Sequence, residues 1–257
     1  MHDNHHRTPQ DNYTPHMTID PPHDPMGQAV LDHQQGKPTK KLRVLSSMFD
    51  EDEMPVSHLF RTYSEMPRLE QLALDLCKGK VLDIGACAGC HTLHLQEKGF
   101  NVTAIDISPL SVETMKLRGI RQVMLADMFE DNIGNDYDTI LLLMNGTSIA
   151  GTLDRLPLFF NKLKTMLAPD GQILLDSTDI RYIYEDENGN FDYDGTKYYG
   201  QVDYRMQYGH TKGRRFDCLY VDPATMQRCA TATGFNSEIL EQNDEYAYLM
   251  RLTPCLH

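Results

Sequence analysis

Apolar positions in the middle of the chain change rhythm at regular intervals. In "LEQLALDLCKG" (69–79), Leu69, Leu72, Ala73 and Leu76 share one helical face, and Gly79 closes the helix. "KVLDIG" is a short continuous apolar run, the mark of a buried strand. "CHTLHLQEKG" returns to helical spacing and ends at Gly99, and "NVTAIDI" is a second strand. "PLSVETMKLRG" has Pro109 in its first turn and Gly119 after its end, which predicts a helix. "RQVMLAD" and "YDTILLLMN" read as strands three and four. "LDRLPLFFNKLKTML" is a helix with Leu156, Phe159, Phe160, Leu163, Met166 and Leu167 on one side, and "APDGQILLDST" turns into a fifth strand. Strands alternating with helices predict an α/β fold with a mostly parallel twisted sheet flanked by helices.

The rhythm differs at both ends. After residue 180, "KYYGQVDYRMQYGHTKGRRFDCLYVD" reads as two long strands joined at "HTKG", expected as antiparallel edge strands of the same sheet. A helix, "PATMQRCATATG", and an antiparallel C-terminal hairpin turning at "ND" follow. Residues 1–40 show no periodicity and hold six of the eleven histidines. "HDNHH" could serve a metal-binding tail, but a flexible N-terminal tail over 1–40 is the expectation, with one domain over 41–257. "DEDE" (50–53) lacks calcium-loop spacing and is expected to be a solvated acidic turn.

Composition narrows the classes of partner. The 257 residues carry a formal net charge of −13, which argues against a nucleic-acid or anionic-membrane partner. No apolar run approaches the roughly 18 residues of a membrane span, and no signal-peptide core is visible, so a cytoplasmic location with six reduced cysteines is expected. Composition leaves the oligomeric state open.

The chemistry concentrates in "DIGACAGCHTLHL" (83–95). Cys87 to His91 spell C-A-G-C-H, which could mean attached haem, half a zinc site or a redox pair. No second C-x-x-C or close His pair follows, and haem of this type is attached outside the reducing cytoplasm, so no metal is expected. The same residues form a glycine-bearing turn between a strand and a helix, the setting of a nucleotide-binding loop. Asp106, at the end of the next strand and about 20 residues after Gly85, is positioned to grip ribose hydroxyls. A dinucleotide would need glycine at position 87 for its pyrophosphate, and Asp83 would repel that group. A ligand with an ammonium group, a ribose and no phosphate suits the loop better, as in S-adenosylmethionine (SAM).

With "LADMF", "YDTILLLMN" and "LAPDGQILLDS" added, residues 69–180 resemble the class I SAM-dependent methyltransferases, whose usual D-x-G-x-G-x-G has Cys87 at its middle glycine here. The resemblance implies a Rossmann-like fold. It implies that Asp83, Gly85, Ala86, Cys87 and Gly89 hold the methionine part, and that Asp106 holds the ribose with Ile107 on the adenine. It further implies that Asp127 accepts from the adenine amino group beside Met128, and that Met144 and Asn145 border the reacting centre. The alternatives are a non-catalytic SAM-binding sensor and an NAD-dependent oxidoreductase.

The family shares no catalytic signature, because methyl transfer mainly requires alignment and exclusion of water. "MNGTS" stands where adenine- and glutamine-directed relatives carry an N-P-P-Y type motif, so those substrates are disfavoured. The expected acceptor is a small molecule. Ten of thirteen tyrosines follow residue 180. A substrate-covering insertion is expected over about 181–222, with Tyr182 and Tyr199 as candidate contacts. Arg61 and Tyr63, ahead of the first helix, are further candidates by analogy with methyltransferase lids.

Overall fold

The structure is a computed structural model and describes residues 18–255. In chain order, α1 (Pro25–Gln34) precedes a hairpin of β1 (Leu42–Leu45) and β2 (Asp52–Met54). Then come α2 (Arg68–Asp75), β3 (Lys80–Ile84), α3 (Cys90–Glu97), β4 (Asn101–Asp106), α4 (Pro109–Leu117), β5 (Val123–Leu125) and β6 (Tyr137–Leu142). α5 (Leu156–Met166) leads into β7 (Leu167–Thr178). The chain ends with β8 (Gln201–Tyr208), β9 (Thr211–Lys212), β10 (Phe216–Leu219), α6 (Pro223–Ala232), β11 (Phe235–Gln242) and β12 (Ala247–Pro254).

Seven strands form the main sheet in the order β11-β12-β7-β6-β3-β4-β5. β3 to β7 run parallel to their neighbours, and β12 and β11 join antiparallel at one edge, as the apolar rhythm predicts. Alternate residues of each strand face opposite layers. Leu82, Ile140, Ile173 and Met250 pack with Phe159, Phe160 and Leu163 of α5 and Met226 of α6. Val81, Val102, Leu141 and Leu174 face α2 and α3. Ala104 packs on Val112 and Met115 of α4. Among the described residues no helix is long and apolar enough to cross a membrane.

Three expectations are corrected. Strands β8 to β10 do not join the parallel sheet. β8 pairs with β10, β9 and β1, giving a second, antiparallel sheet ordered β10-β8-β1-β2. The reason is the apolar side of β8. Val202 packs with Ile180 and Cys218, and Met206 and Tyr208 pack with Leu42 and Val56, so this strand is buried by local partners. The acidic run 50–53 is also not wholly a turn, because Asp52 and Glu53 pair with Val44 and Arg43 across the hairpin.

Nor is 1–40 a tail throughout. Residues 1–17, with "HDNHH", lie outside the described residues, but 25–34 form a helix that packs on α4 and β8. Asp24 caps it by accepting from Gly27 N–H at 2.8 Å, and Pro25 fills the first turn, where its missing N–H costs nothing. Ala29 and Val30 are fully buried. The buried Asp24 also accepts from the Ser108 hydroxyl at the start of α4, and Ile19 N–H donates to Ile107 C=O at 2.8 Å. The N-terminal segment is therefore docked beside the end of β4.

Replacing Asp24 by Ala removes both the cap and the partner of a buried hydroxyl. A loss of about 2–3 kcal/mol in unfolding free energy is expected from urea denaturation. A loss under about 0.5 kcal/mol would show that this docking contributes little to the fold.

Candidate active site

The turn after β3 brings the cofactor candidates together at the carboxyl ends of the parallel strands. Gly85, Cys87 and Gly89 all have positive φ, at 75°, 51° and 77°. Glycine takes this region without cost, whereas Cys87 holds it against its own Cβ. At Gly89 a Cβ would meet Ile120 Cδ1 at 2.2 Å, so only glycine fits under the start of α3. Gly85 and Ala86 donate their N–H groups to Ile105 C=O at 3.0 and 3.1 Å, which pins the turn to β4.

Asp106 closes this arrangement. Its Oδ2 accepts from Cys87 N–H and its Oδ1 from Ser108 N–H, both at 2.8 Å. Burial pushes its pKa up to about 6, against the lowering influence of those two donors. Ile107, after β4, is 38% exposed and Met144, after β6, 37%, so both present apolar surface at the carboxyl ends of the parallel strands. Asp127 is buried and accepts from Phe129 N–H at 2.8 Å.

Other candidates are placed differently from the expectation. Asp83 is 2% exposed, and its Oδ2 accepts from Thr92 on α3 at 2.5 Å. It sits inside the sheet–helix interface, where burial raises its pKa. Met128 is buried in the main core. Tyr63 turns away from the strand ends: its hydroxyl donates to Asp75 at 2.9 Å, and its ring stacks on His94 at 4.5 Å. Tyr182 stacks on Tyr246. Tyr199 donates to Asp179 at 2.8 Å and lies among Tyr184, Phe191, Tyr193 and Tyr198.

Arg61 is buried rather than lid-like. Its Nη2 reaches both oxygens of Glu70 at 2.9 Å, and Glu70 Oε2 contacts His91 Nε2 at 2.6 Å. Burial opposes the charge of His91, but Cys90 and Glu70 prevail and raise its pKa well above the ordinary histidine range. Burial likewise opposes the charge of Glu70, yet His91 and Arg61 hold its pKa low. Arg61 Nη1 meets His58 Nε2 at 2.6 Å, and Nη2 lies 3.4 Å from Met144 Sδ. Arg61 Nε is buried with no partner among the described residues.

Asn145 follows β6 with φ 60°, after Met144 at 64°. This double left-handed step turns Asn145 N–H toward Asp176 Oδ1 at 2.9 Å, with Gly146 N–H at 3.4 Å. The Asn145 side chain donates to Leu219 C=O at 3.4 Å, which fastens β10 and the second sheet beside the strand ends. Glu70, His91, Ser108 and Asp176 escaped the sequence reading. In the sequence Glu70 is only a member of a helix pattern, His91 only the end of C-A-G-C-H, and Asp176 only a polar break in an apolar strand.

The thiols of Cys87 and Cys90 are free, and burial, reinforced by Asp106, raises the Cys87 pKa well above the ordinary thiol value. Among the described residues, no group of three or more His, Cys, Asp or Glu could hold a metal ion.

The family model of a methyltransferase domain matches residues 56–240. The crystal structure of a SAM-dependent methyltransferase from Bacteroides fragilis, in complex with S-adenosyl-L-homocysteine, is 49% identical. It matches with a TM-score of 0.87 over 93% of this chain and 98% of that one. The chain belongs to the class I SAM-dependent methyltransferases. The oxidoreductase alternative is thereby set aside. Two further methyltransferases share the fold. One, from Clostridium acetobutylicum, is 14% identical with a TM-score of 0.55, covering 75% of this chain and 94% of its own. The other, CcbJ from Streptomyces caelestis, is 14% identical at 0.57, covering 76% and 95%. No curated protein matches the chain significantly.

The strained Cys87 yields a test of this methyltransferase loop. Cys87→Gly is expected to change the unfolding free energy by less than about 1 kcal/mol, and Cys87→Val to cost about 1–3 kcal/mol, because a β-branched residue resists positive φ. Urea denaturation of both variants measures this. Tolerance of valine within about 0.5 kcal/mol would mean that the turn does not depend on its left-handed step.

Proposed function

We propose that this enzyme methylates a small molecule held between the SAM loop and the second sheet. The observation that carries the reading is the cover. β10 is tied to Asn145 at the end of β6, and the aromatic cluster around Tyr199 follows β7 directly. An enclosed acceptor site suits methyl transfer, because keeping water out preserves alignment. A polymer would need an extended and usually basic surface, and the chain carries a net charge of −13.

The residues fit SAM. The positive-φ turn at Gly85–Gly89 leaves its backbone open to a ligand, and Asp106 offers an acceptor at its rim. Ile107 and Met144 present apolar surface to solvent, as surfaces awaiting an adenine and a thioether would. Arg61 Nε is an unmet buried donor suited to a carboxylate. In this reading Asp106 accepts from the ribose hydroxyls, Ile107 lies against the adenine, Asp127 takes the adenine amino group, and Arg61 holds the methionine carboxylate. Asp83 braces the turn through Thr92. When bound, SAM supplies an electrophilic methyl carbon on a positive sulfur. The chain's part is to orient both reactants, exclude water and handle the acceptor's proton.

Asp106→Ala is expected to weaken SAM binding about a hundredfold, because two hydrogen bonds to a charged acceptor are lost. The ribose hydroxyls bind the ionised carboxylate, so protons compete with the cofactor. SAM affinity should therefore fall as the pH drops through about 6, and Asp106→Asn should flatten that dependence. Calorimetry across pH 5–8 measures both, and less than about a threefold loss in the alanine variant would remove Asp106 as the ribose ligand.

The acceptor class is tested with methyl-tritiated SAM offered in parallel to a metabolite extract, total RNA and a protein extract. Label is expected in the metabolite fraction. Robust labelling of RNA or protein by the intact enzyme, with none in metabolites, would overturn the small-molecule reading.

A further inference from the structure

We propose that Asp176 is the catalytic carboxylate of this enzyme, and that its Oδ2 binds an amine acceptor and takes the proton that must leave nitrogen before methyl transfer. This rests on the small-molecule reading above and names the substrate class of that same site.

The first observation is position. Asp176 lies near the carboxyl end of β7, one residue beyond Leu175, which pairs with Leu142 at the end of β6. The chain beyond β6 therefore passes beside it, and Asn145 and Gly146 reach its side chain. The second is the clamp. Asp176 Oδ1 takes the N–H groups of Asn145 and Gly146, and this needs two consecutive non-glycine residues at positive φ. Such strain persists only where the surroundings impose it, and it is concentrated at functional sites. The clamp fixes one oxygen. No donor among the described residues reaches the other, Oδ2.

The third observation is charge. The charged groups that act on Asp176 are Glu70 of α2, which opposes its ionisation, and His91 of α3, which favours it. Arg61 and His91 are both committed to Glu70, and Asp83 is tied to Thr92. No ion pair reaches Asp176 among the described residues, and burial pushes its pKa to about 6 despite two N–H donors and the charge of His91. A partly buried carboxylate without a counter-charge is costly, and a cationic ligand removes that cost. Glu70 is taken by Arg61 and His91, Asp83 by Thr92, and Asp106 is assigned to the ribose, whereas Asp176 faces the end of β6, where the reacting centre is expected.

An amine meets this requirement in both of its states. It arrives as ammonium and pairs with Asp176. An ammonium has no free electron pair, so one N–H proton must go first, and Asp176 Oδ2 receives it. The freed pair on nitrogen then forms the bond to the methyl carbon. The methyl–sulfur bond breaks, its pair stays on sulfur, and Asp176 later releases the proton to solvent. A nearby sulfonium lowers the ammonium pKa while burial raises that of the carboxylate, which narrows the gap between donor and acceptor. A neutral alcohol brings no charge to compensate Asp176, and its proton is too weakly acidic for a carboxylate base.

The test uses Asp176→Asn, which keeps an oxygen for the two N–H groups, and Asp176→Glu, which keeps the carboxylate. Calorimetry measures SAM and S-adenosylhomocysteine affinity. Transfer from methyl-tritiated SAM is followed into a metabolite extract separated on a cation exchanger. The intact enzyme is expected to place label in the cation-retained fraction. Asp176→Asn should bind both nucleosides within about threefold of the intact enzyme and lose about 10²–10⁴-fold in transfer, with Asp176→Glu recovering part of it. Transfer by Asp176→Asn within about threefold of normal overturns the proposal. So does a tenfold or larger loss of SAM affinity without loss of S-adenosylhomocysteine affinity, which would make Asp176 a partner of the sulfonium. Label only in neutral or acidic metabolites overturns the amine assignment alone. Label only in macromolecules, or none at all, overturns the small-molecule reading itself.

Discussion

The carboxylate of Asp106 is the constraint on which the rest of the site depends. Each of its oxygens accepts one backbone N–H, from Cys87 on one side and Ser108 on the other. Those two amides belong to the turn before α3 and to the start of α4, so a single side chain sets the spacing between two neighbouring crossovers. The Ser108 hydroxyl then continues the link to Asp24 and the N-terminal helix. The turn before α3 and the start of α4 thus meet on one anion, with the N-terminal helix joined through Ser108, and the burial of Asp106 is tolerated because each oxygen has a donor. The same polarity that organises the protein is what a ribose would use, and this is why one group serves both architecture and recognition.

The site balances its charges unevenly. Glu70 is satisfied by Arg61 and His91, and the three form a buried unit in which only Arg61 Nε is unmet. Its cations make no ion pair with the strand-end carboxylates, and burial raises the pKa of both Asp106 and Asp176 to about 6. Two carboxylates at the strand ends are therefore held by backbone N–H groups rather than by ion pairs. This is a local property, and the overall charge of −13 only accompanies it.

The parallel core was legible because its signals are local. Each of its strands is a short apolar run, and each glycine stop sits where a left-handed residue is needed, as at Gly99 and Gly119. The turn at Gly85–Gly89 and Asp106 could be read for the same reason. The burial of Arg61 could not be read, because it depends on Glu70 and His91, which meet it only through the packing of α2 on α3. α1 was hidden by its shortness and by a buried face of small residues, although Asp24-Pro25 was a visible cap signal. Asp83 and Met128 were assigned roles from sequence position, and the structure places both side chains inside the packed interior.

The second sheet is assembled from two distant parts of the chain. β1 and β2 lie ahead of the whole parallel core, and their partner β8 lies after most of it. Ser47 and Asp203, joined by a hydrogen bond of 3.3 Å, are 156 residues apart. A lone two-stranded hairpin is marginal in water, and closing so long a loop precedes any gain from the contact. On a ribosome the first hairpin emerges early and must wait for β8 to be synthesised. The second sheet thus cannot close until β8 is made, and a chain interrupted before residue 201 would carry the Gly85–Gly89 turn and a hairpin with no partner.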